Sequence, residues 1–412
     1  MAWSSTHKIH LETGQDGRIS SSNVSASSQH HRPRRRAQST WTAAAVDAAQ
    51  SLLSPSTSDP PGSGLTSSTY PKELSTDPLR IVAKEMSFLT KNIGQLVGSG
   101  HPVLDTVAKY YTQGEGKHVR PMLVLLMSRA TAIGGQEPSS LAATSQADAA
   151  IDVPISPASI LSDRNPLSPP PRSSLAETPE TDPYILPSQR RLAEITELIH
   201  TASLLHDDVL DSSVTRRSLP SANIHFGNKM AILAGDFLLG RASVALARLH
   251  NPQVTELLAT VIANLVEGEF MQLRNTAHDE EKPAFTDDTI SYYLQKTYLK
   301  SASLISKSCR AAALLGPRGV EKEVVDAAYA YGKNLGLAFQ LVDDLLDYTG
   351  TESSLGKPAG ADLQLGLATA PLLFAWRERA DADDDVVGGL VGRRFAGEGD
   401  VETVRFDLSP FR

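Results

Sequence analysis

Apolar residues recur at helical spacing through most of the chain between Asp77 and Trp376. In DPLRIVAKEMSFLTKNIGQLVG, Leu79, Val82, Met86 and Leu89 fall on one helix face, and Pro78 suits the first turn. A second short helix is predicted from about Pro102. The run GEGKHVRPMLVLLMSRATA predicts a third: Gly114 and Gly116 make a flexible turn and Pro121 fits the first helical turn. Lys117, His118 and Arg120 then lie at or before a helix N-terminus, which favours anions. Helical patterning resumes at about Ser188 in SQRRLAEITELIHTASLLHDDVLD. It continues through NIHFGNKMAILAGDFLLGRASVALARL, PQVTELLATVIANLVEGEFMQLR, KTYLKSASLISKSCRAAALLG and GLAFQLVDDLLDYTG. No segment combines sustained strand alternation with hairpin signals. The predicted fold class is all-α, a helical bundle with sites built between facing helices.

Two regions lack this pattern. Residues 1–75 are rich in Ser, Thr, Pro and Gly. They include HHRPRRRAQST, and only Glu12 and Asp16 are acidic before Arg36. An Arg- and Ser-rich, acid-poor leader reads as a transit peptide with a disordered linker, pointing to the mitochondrion. A disordered basic tail or a nucleic-acid patch is the competing reading. From about 136 to 187 a Pro/Ser-rich stretch interrupts the helical domain and reads as a surface insertion. The helical domain is assigned to 76–380 and a divergent C-terminus to 381–412.

At 412 residues and 41% hydrophobic, the chain is long enough for one large domain or two ordinary ones. Its net charge of −8 argues against a general nucleic-acid binder. The single cysteine, Cys309, excludes an intramolecular disulfide and reads as a core residue. No apolar run is expected to reach the roughly 18–20 residues of a membrane span.

Chemistry concentrates at two places. HTASLLHDDVLDSSVTRRS, from His200 to Ser218, ends an apolar helical run in Asp207, Asp208 and Asp211, followed by Arg216 and Arg217. Asp207 and Asp211 share one helix face, with Asp208 on its flank. Three acids this close repel one another, so a cation is expected among them. Hard oxygen ligands suit Mg²⁺, often held by one or two carboxylates plus substrate phosphates. The arginines offer fork-shaped donors for phosphate oxygens. GLAFQLVDDLLDYTG repeats the DDxxD pattern as Asp343, Asp344 and Asp347. A single such cluster could be a solvated helix end. Two, each closing an apolar helix and each followed by basic residues, imply several Mg²⁺ ions gripping one diphosphate, with Mn²⁺ able to substitute.

GKHVRP, LLHDDVLDSSVTRR, KTYLKSASL, FQLVDDLLD and GKPAGADLQLGLATAP, in this order, resemble the trans-polyprenyl diphosphate synthases. The wording is most similar to the mitochondrial long-chain members that make the ubiquinone tail. The resemblance covers roughly residues 76–376. It implies an isoprenoid synthase-type bundle around a central cavity and head-to-tail prenyl transfer from an allylic diphosphate to isopentenyl diphosphate. It also implies a role for each motif residue. Lys117, Arg120, His200 and Arg217 would hold isopentenyl diphosphate. Arg216, Lys300, Ser301 and Lys357 would hold the allylic diphosphate, with Ser301 standing where Thr is usual, and Gln340 would bind substrate. Asp207, Asp211 and Asp343 would bind metal, supported by Asp208, Asp344 and Asp347. Leu367 occupies a position where the family often has another Lys, so no ligand is assigned there. The family's last helices are not recognisable after RRFAGEGDVETV.

Ala202 and Ser203, one turn before Asp207, are small where short-chain relatives carry bulky aromatics. Either they leave a passage for a long product or they merely permit close helix packing. Asp236, Glu269 and Gln272 read as packing or supporting polar groups, and Asp236 is expected to need a buried partner. Partners implied are the two diphosphates and a second subunit, in a homodimer or heteromer, with peripheral association with the inner membrane. A non-catalytic partner subunit is the alternative in another class, separable by assaying the purified chain alone. A class I terpene cyclase predicts one DDxxD and a second motif of different composition, unlike this chain.

Overall fold

The computed structural model describes residues 78–112, 118–132, 182–216, 219–277, 284–316, 321–349, 360–380 and 386–407. The expectations for residues 1–75, most of the Pro/Ser-rich insertion, and Lys117, Arg217 and Lys357 lie outside these.

The described chain is helical. Its first half comprises α1 (Pro78–Val97), α2 (Pro102–Lys109), α3 (Val119–Ala132), α4 (Pro187–Leu210), α5 (Ala222–Phe226), α6 (Asn228–Ala247) and α7 (Pro252–Ala277). Then follow α8 (Asp287–Thr297), a π turn (Tyr298–Ala302), α9 (Ser303–Leu314) and α10 (Lys322–Thr349). The last elements are α11 (Ala361–Gln364), α12 (Ala370–Ala380), α13 (Val386–Gly392), α14 (Asp400–Glu402) and a second π turn (Thr403–Asp407). Proline opens α1, α2, α4 and α7, where its missing N–H costs nothing. The sole sheet among the described residues is a two-residue ladder, Thr215–Arg216 against Leu219–Pro220, with Thr215 opposite Pro220.

α4 is the central helix. Ile195, Leu198, Ile199, Ala202 and Leu205 are fully buried, packed with Leu238 and Ala242 of α6 and Leu258 of α7 in the main core. Gln189 ties its first turn to α9 by donating to the Ala312 carbonyl at 2.8 Å. An ionic junction joins α1 and α3 to the approach to α4. Arg129 pairs with Asp182 at 2.7 Å and Arg190 with Glu85 at 2.8 Å. A second core gathers Tyr293, Tyr348, Leu363, Leu373, Trp376, Val387, Leu390, Phe395 and Val404, so residues up to 404 pack with the end of α10.

Two expectations are corrected here. α6 is the one helix among the described residues long and apolar enough to cross a membrane. Ala231, Ala234, Leu238 and Ala242 are nevertheless buried in the bundle, and Arg241 is buried with them, so it packs as a core helix. Asp236, on the same helix, is exposed and needs no buried partner; its Oδ1 lies 3.5 Å from His206 Nε2.

Candidate active site

The site is organised by the π turn. A π turn carries one extra residue and re-aims the side chains that follow; such turns are rare and frequent at functional sites. Here it presents Lys300 and Ser301 to a cavity of about 220 Å³. Asp211 from the end of α4 lines the same cavity, as do Tyr293 and Lys296 of α8, Gln340 and Asp344 of α10, and Asp362 of α11. Glycines bring the surrounding helices close. A Cβ on Gly268 of α7 would lie 2.6 Å from Lys300 Cγ, and one on Gly336 of α10 would lie 2.7 Å from Ala302 Cα. No side chain fits at either contact, so α7 and α10 clamp the turn from two sides.

Lys300 is held rather than loose. Its Nζ lies 2.6 Å from Glu269 Oε2 and donates to Gln272 Oε1 at 2.9 Å. Glu269 and Gln272 therefore support the predicted diphosphate ligand. Ser301 donates to Gln340 Oε1 at 2.9 Å, and Gln340 Nε2 donates to Asp344 Oδ1 at 2.8 Å.

The acids of each motif divide into two kinds. Asp208 is fully buried and accepts the fork of Arg216, with Nη2 at 2.6 Å and Nε at 2.8 Å from Oδ1, while Tyr111 donates to Oδ2. Asp344 is buried and accepts from Gln340, from Tyr293 Oη at 2.5 Å and from the Ala370 N–H at 3.4 Å. Burial raises the Asp344 carboxyl, against the pull of these donors. Asp207 and Asp211 are only partly buried and have no such donors. Burial pushes Asp207 up to about 6; Lys300 pulls it down, while Glu269 and Asp211 push it further up. Asp211 is raised for the same reason, burial first. Asp343 is half-buried and makes no hydrogen bond with another described side chain. Asp347 is fully buried, with Oδ2 accepting from the Asp362 N–H at 3.2 Å.

Across α3 and α4, Arg120 Nη1 lies 2.9 Å from His200 Nε2, and His118 Nδ1 lies 3.1 Å from Glu197 Oε1. Two residues assigned to one substrate from distant motifs thus touch. Ala202 is fully buried within the main core, while Ser203 is half-buried and donates to the His200 carbonyl at 2.8 Å.

Sequence reasoning assigns no site role to Tyr111 or Tyr293, and places Lys296 on the Lys300 face without making it a ligand. Tyr293, Lys296 and Lys300 recur at helical spacing in SYYLQKTYLK, a signal that could have found the first two. Nothing in the sequence marks Tyr111.

Among the described residues, no three acidic or histidine side chains converge into an ion cage. The donor set still fits a hard divalent cation. Mg²⁺ keeps waters and takes one or two carboxylates plus phosphates rather than a full protein cage. Burial first, and the neighbouring acids after it, raise Asp207 and Asp211, and a bound cation would favour their ionised form.

Residues 174–407 match the family model described as polyprenyl synthetase. The chain belongs to the polyprenyl synthetase family. It is 68% identical over 329 residues to the probable mitochondrial hexaprenyl pyrophosphate synthase of Neurospora crassa, covering 80% of this chain and 71% of that protein. It is 46% identical over 325 residues to decaprenyl-diphosphate synthase subunit 1 of Schizosaccharomyces pombe, covering 79% and 77%. Among solved structures it is similar to the Caulobacter crescentus polyprenyl synthase complexed with calcium and isoprenyl diphosphate. The TM-score is 0.60 and the identity 27%, with 80% and 83% of the two chains covered. The polyprenyl synthetase match runs past Trp376 to residue 407 and takes in RRFAGEGDVETV.

Proposed function

We propose that this polyprenyl synthetase is a mitochondrial all-trans polyprenyl diphosphate synthase. It extends an allylic diphosphate with isopentenyl diphosphate, dependent on Mg²⁺ or Mn²⁺, to make the long isoprenoid tail of ubiquinone. The observation that carries this reading is a single cavity. It joins an acid of the first motif, Asp211, to an acid of the second, Asp344, beside the braced cation Lys300 and the hydroxyl of Ser301.

Lys300 binds the allylic diphosphate and stabilises negative charge as it leaves; a preorganised cation does this without reorganising at the moment of reaction. Glu269 and Gln272 hold the ammonium in place. Ser301 and Gln340 orient the same group, with Arg216 and Lys357 completing it. Arg120 and His200, with Lys117 and Arg217, hold isopentenyl diphosphate so that its double bond faces the allylic carbon. Asp207, Asp211 and Asp343 would hold the cations, with Asp208, Asp344 and Asp347 supporting them. Bound divalent metal would supply most of the charge that neutralises the departing diphosphate. Water must be kept from the allylic cation, which it would quench.

Purified full-length chain with Mg²⁺, radiolabelled isopentenyl diphosphate and an allylic diphosphate tests the proposal. Formation of a long polyprenyl diphosphate, abolished by chelation, is the expected result. A chain inert alone but active with a homologous second subunit would favour the heteromeric reading suggested by the S. pombe relative's designation as subunit 1. Self-association and contact of the apolar product with the inner membrane belong to the same proposal.

A further inference from the structure

The two acidic motifs share a feature that neither motif contains. In each, the second acid is buried and receives a tyrosine hydroxyl from another part of the fold. Tyr111, just beyond α2, donates to Asp208; Tyr293, on α8, donates to Asp344. Both carboxylates also have donors besides the tyrosine. Asp208 receives the Arg216 fork, and Asp344 receives Gln340 and the Ala370 N–H.

Neighbouring side chains on a helix point about 100° apart, so fixing one sets the direction of the next. With Asp208 pinned inward, Asp207 and Asp211 share the adjacent helix face, and Asp211 lines the cavity that holds Lys300. With Asp344 pinned against Tyr293, Asp343 is set about 100° around α10. Each hydroxyl also joins separate elements. Tyr111 Oη accepts the Ala222 N–H at 2.7 Å, linking the end of α2, the end of α4 and the start of α5. Tyr293 links α8 to α10 and continues through Gln340 to Ser301 in the cavity.

We propose that Tyr111 and Tyr293 are positioning residues, each locking the second acid of its motif and so aiming the neighbouring acids at the metal. The proposal rests on the metal-dependent reading given above. The rings fill space, and phenylalanine would keep that volume while deleting only the hydroxyl.

The test is Mn²⁺ binding, followed by electron paramagnetic resonance in the presence of inorganic diphosphate, for the full chain and for Tyr111→Phe and Tyr293→Phe separately. Each variant is expected to keep the wild-type circular dichroism spectrum and bind Mn²⁺ about tenfold more weakly. The Mg²⁺ concentration for half-maximal turnover should rise by a similar factor. The KM for isopentenyl diphosphate at saturating Mg²⁺ should not move, a split that general loosening of the fold would not give. Wild-type Mn²⁺ affinity in both variants overturns the proposal. So does failure of both variants to fold, which would make the hydroxyls structural. A wild-type chain that binds no Mn²⁺ overturns the metal reading itself, and the proposal with it.

Discussion

The ammonium of Lys300 lies 2.6 Å from the carboxylate of Glu269. The pair bridges the π turn and α7 at the point where Gly268 allows the closest approach. A lysine has a long, flexible stem, and this contact with Gln272 fixes where its charge sits. Lys300→Ala should therefore raise the KM for the allylic diphosphate far more than that for isopentenyl diphosphate. Glu269→Gln should act in the same direction but more weakly, because Gln272 still holds the ammonium. Steady-state kinetics with each substrate varied in turn checks both; equal effects on the two KM values would refute the assignment.

Asp207 gives a prediction for pH. Its carboxyl is raised by burial from the ordinary 3.8 to about 6 in the folded chain. The folded state then holds the proton more tightly than the unfolded state. This contribution to stability is fully present below about pH 4 and is lost as pH rises through about 6. Its size is at most about 3 kcal/mol. Without divalent metal, the melting temperature should fall across this window, and Asp207→Asn should flatten that part of the profile. Metal binding needs the ionised carboxylate, so Mn²⁺ affinity should rise over the same range. Melting curves at pH 5 and pH 7, with EDTA and with Mn²⁺, measure both trends.

Arg120 and His200 are 2.9 Å apart, so their contributions cannot be independent. Arg120→Ala and His200→Ala should each raise the KM for isopentenyl diphosphate about tenfold or more. The double variant should fall short of the product of the two effects, because residues in contact couple. A double-mutant cycle on KM provides the measurement, and strict additivity would argue against a shared substrate group.

Ser203 and Ala202 are now separable. Ser203 is half-buried on the face of α4 one turn before Asp207, whereas Ala202 is fully buried among core side chains. Ser203→Phe should shorten the product while leaving the fold intact. Ala202→Phe must displace packed neighbours, at a cost of about 1–3 kcal/mol. Product chain-length analysis together with thermal melts distinguishes the two outcomes. An unchanged product distribution in folded Ser203→Phe would place the growing chain elsewhere.

The sequence by itself determined the helices and the chemistry they carry. The apolar spacing of Leu79, Val82, Met86 and Leu89, and prolines at helix starts, are local properties of the chain, so α1, α2 and α4 could be read directly. The two DDxxD runs announced their charge problem in the same way, since six carboxylates in two short windows repel wherever they fold. Family resemblance then joined the motifs into one activity. What only the tertiary structure decided is which acid faces which partner. Asp207, Asp208 and Asp211 look alike in sequence, yet Asp208 is tied to Tyr111 and Arg216 while Asp211 lines the cavity that holds Lys300. Tyr111 is 97 residues from Asp208, and Tyr293 is 51 from Asp344, beyond the reach of any periodic signal. The exposure of Asp236 was likewise invisible, because α6 is apolar all round and its pattern does not say which face turns inward. Hydrophobic periodicity specifies a helix and a face, but the rotation of a carboxylate is set by donors that arrive from other helices once the core has packed.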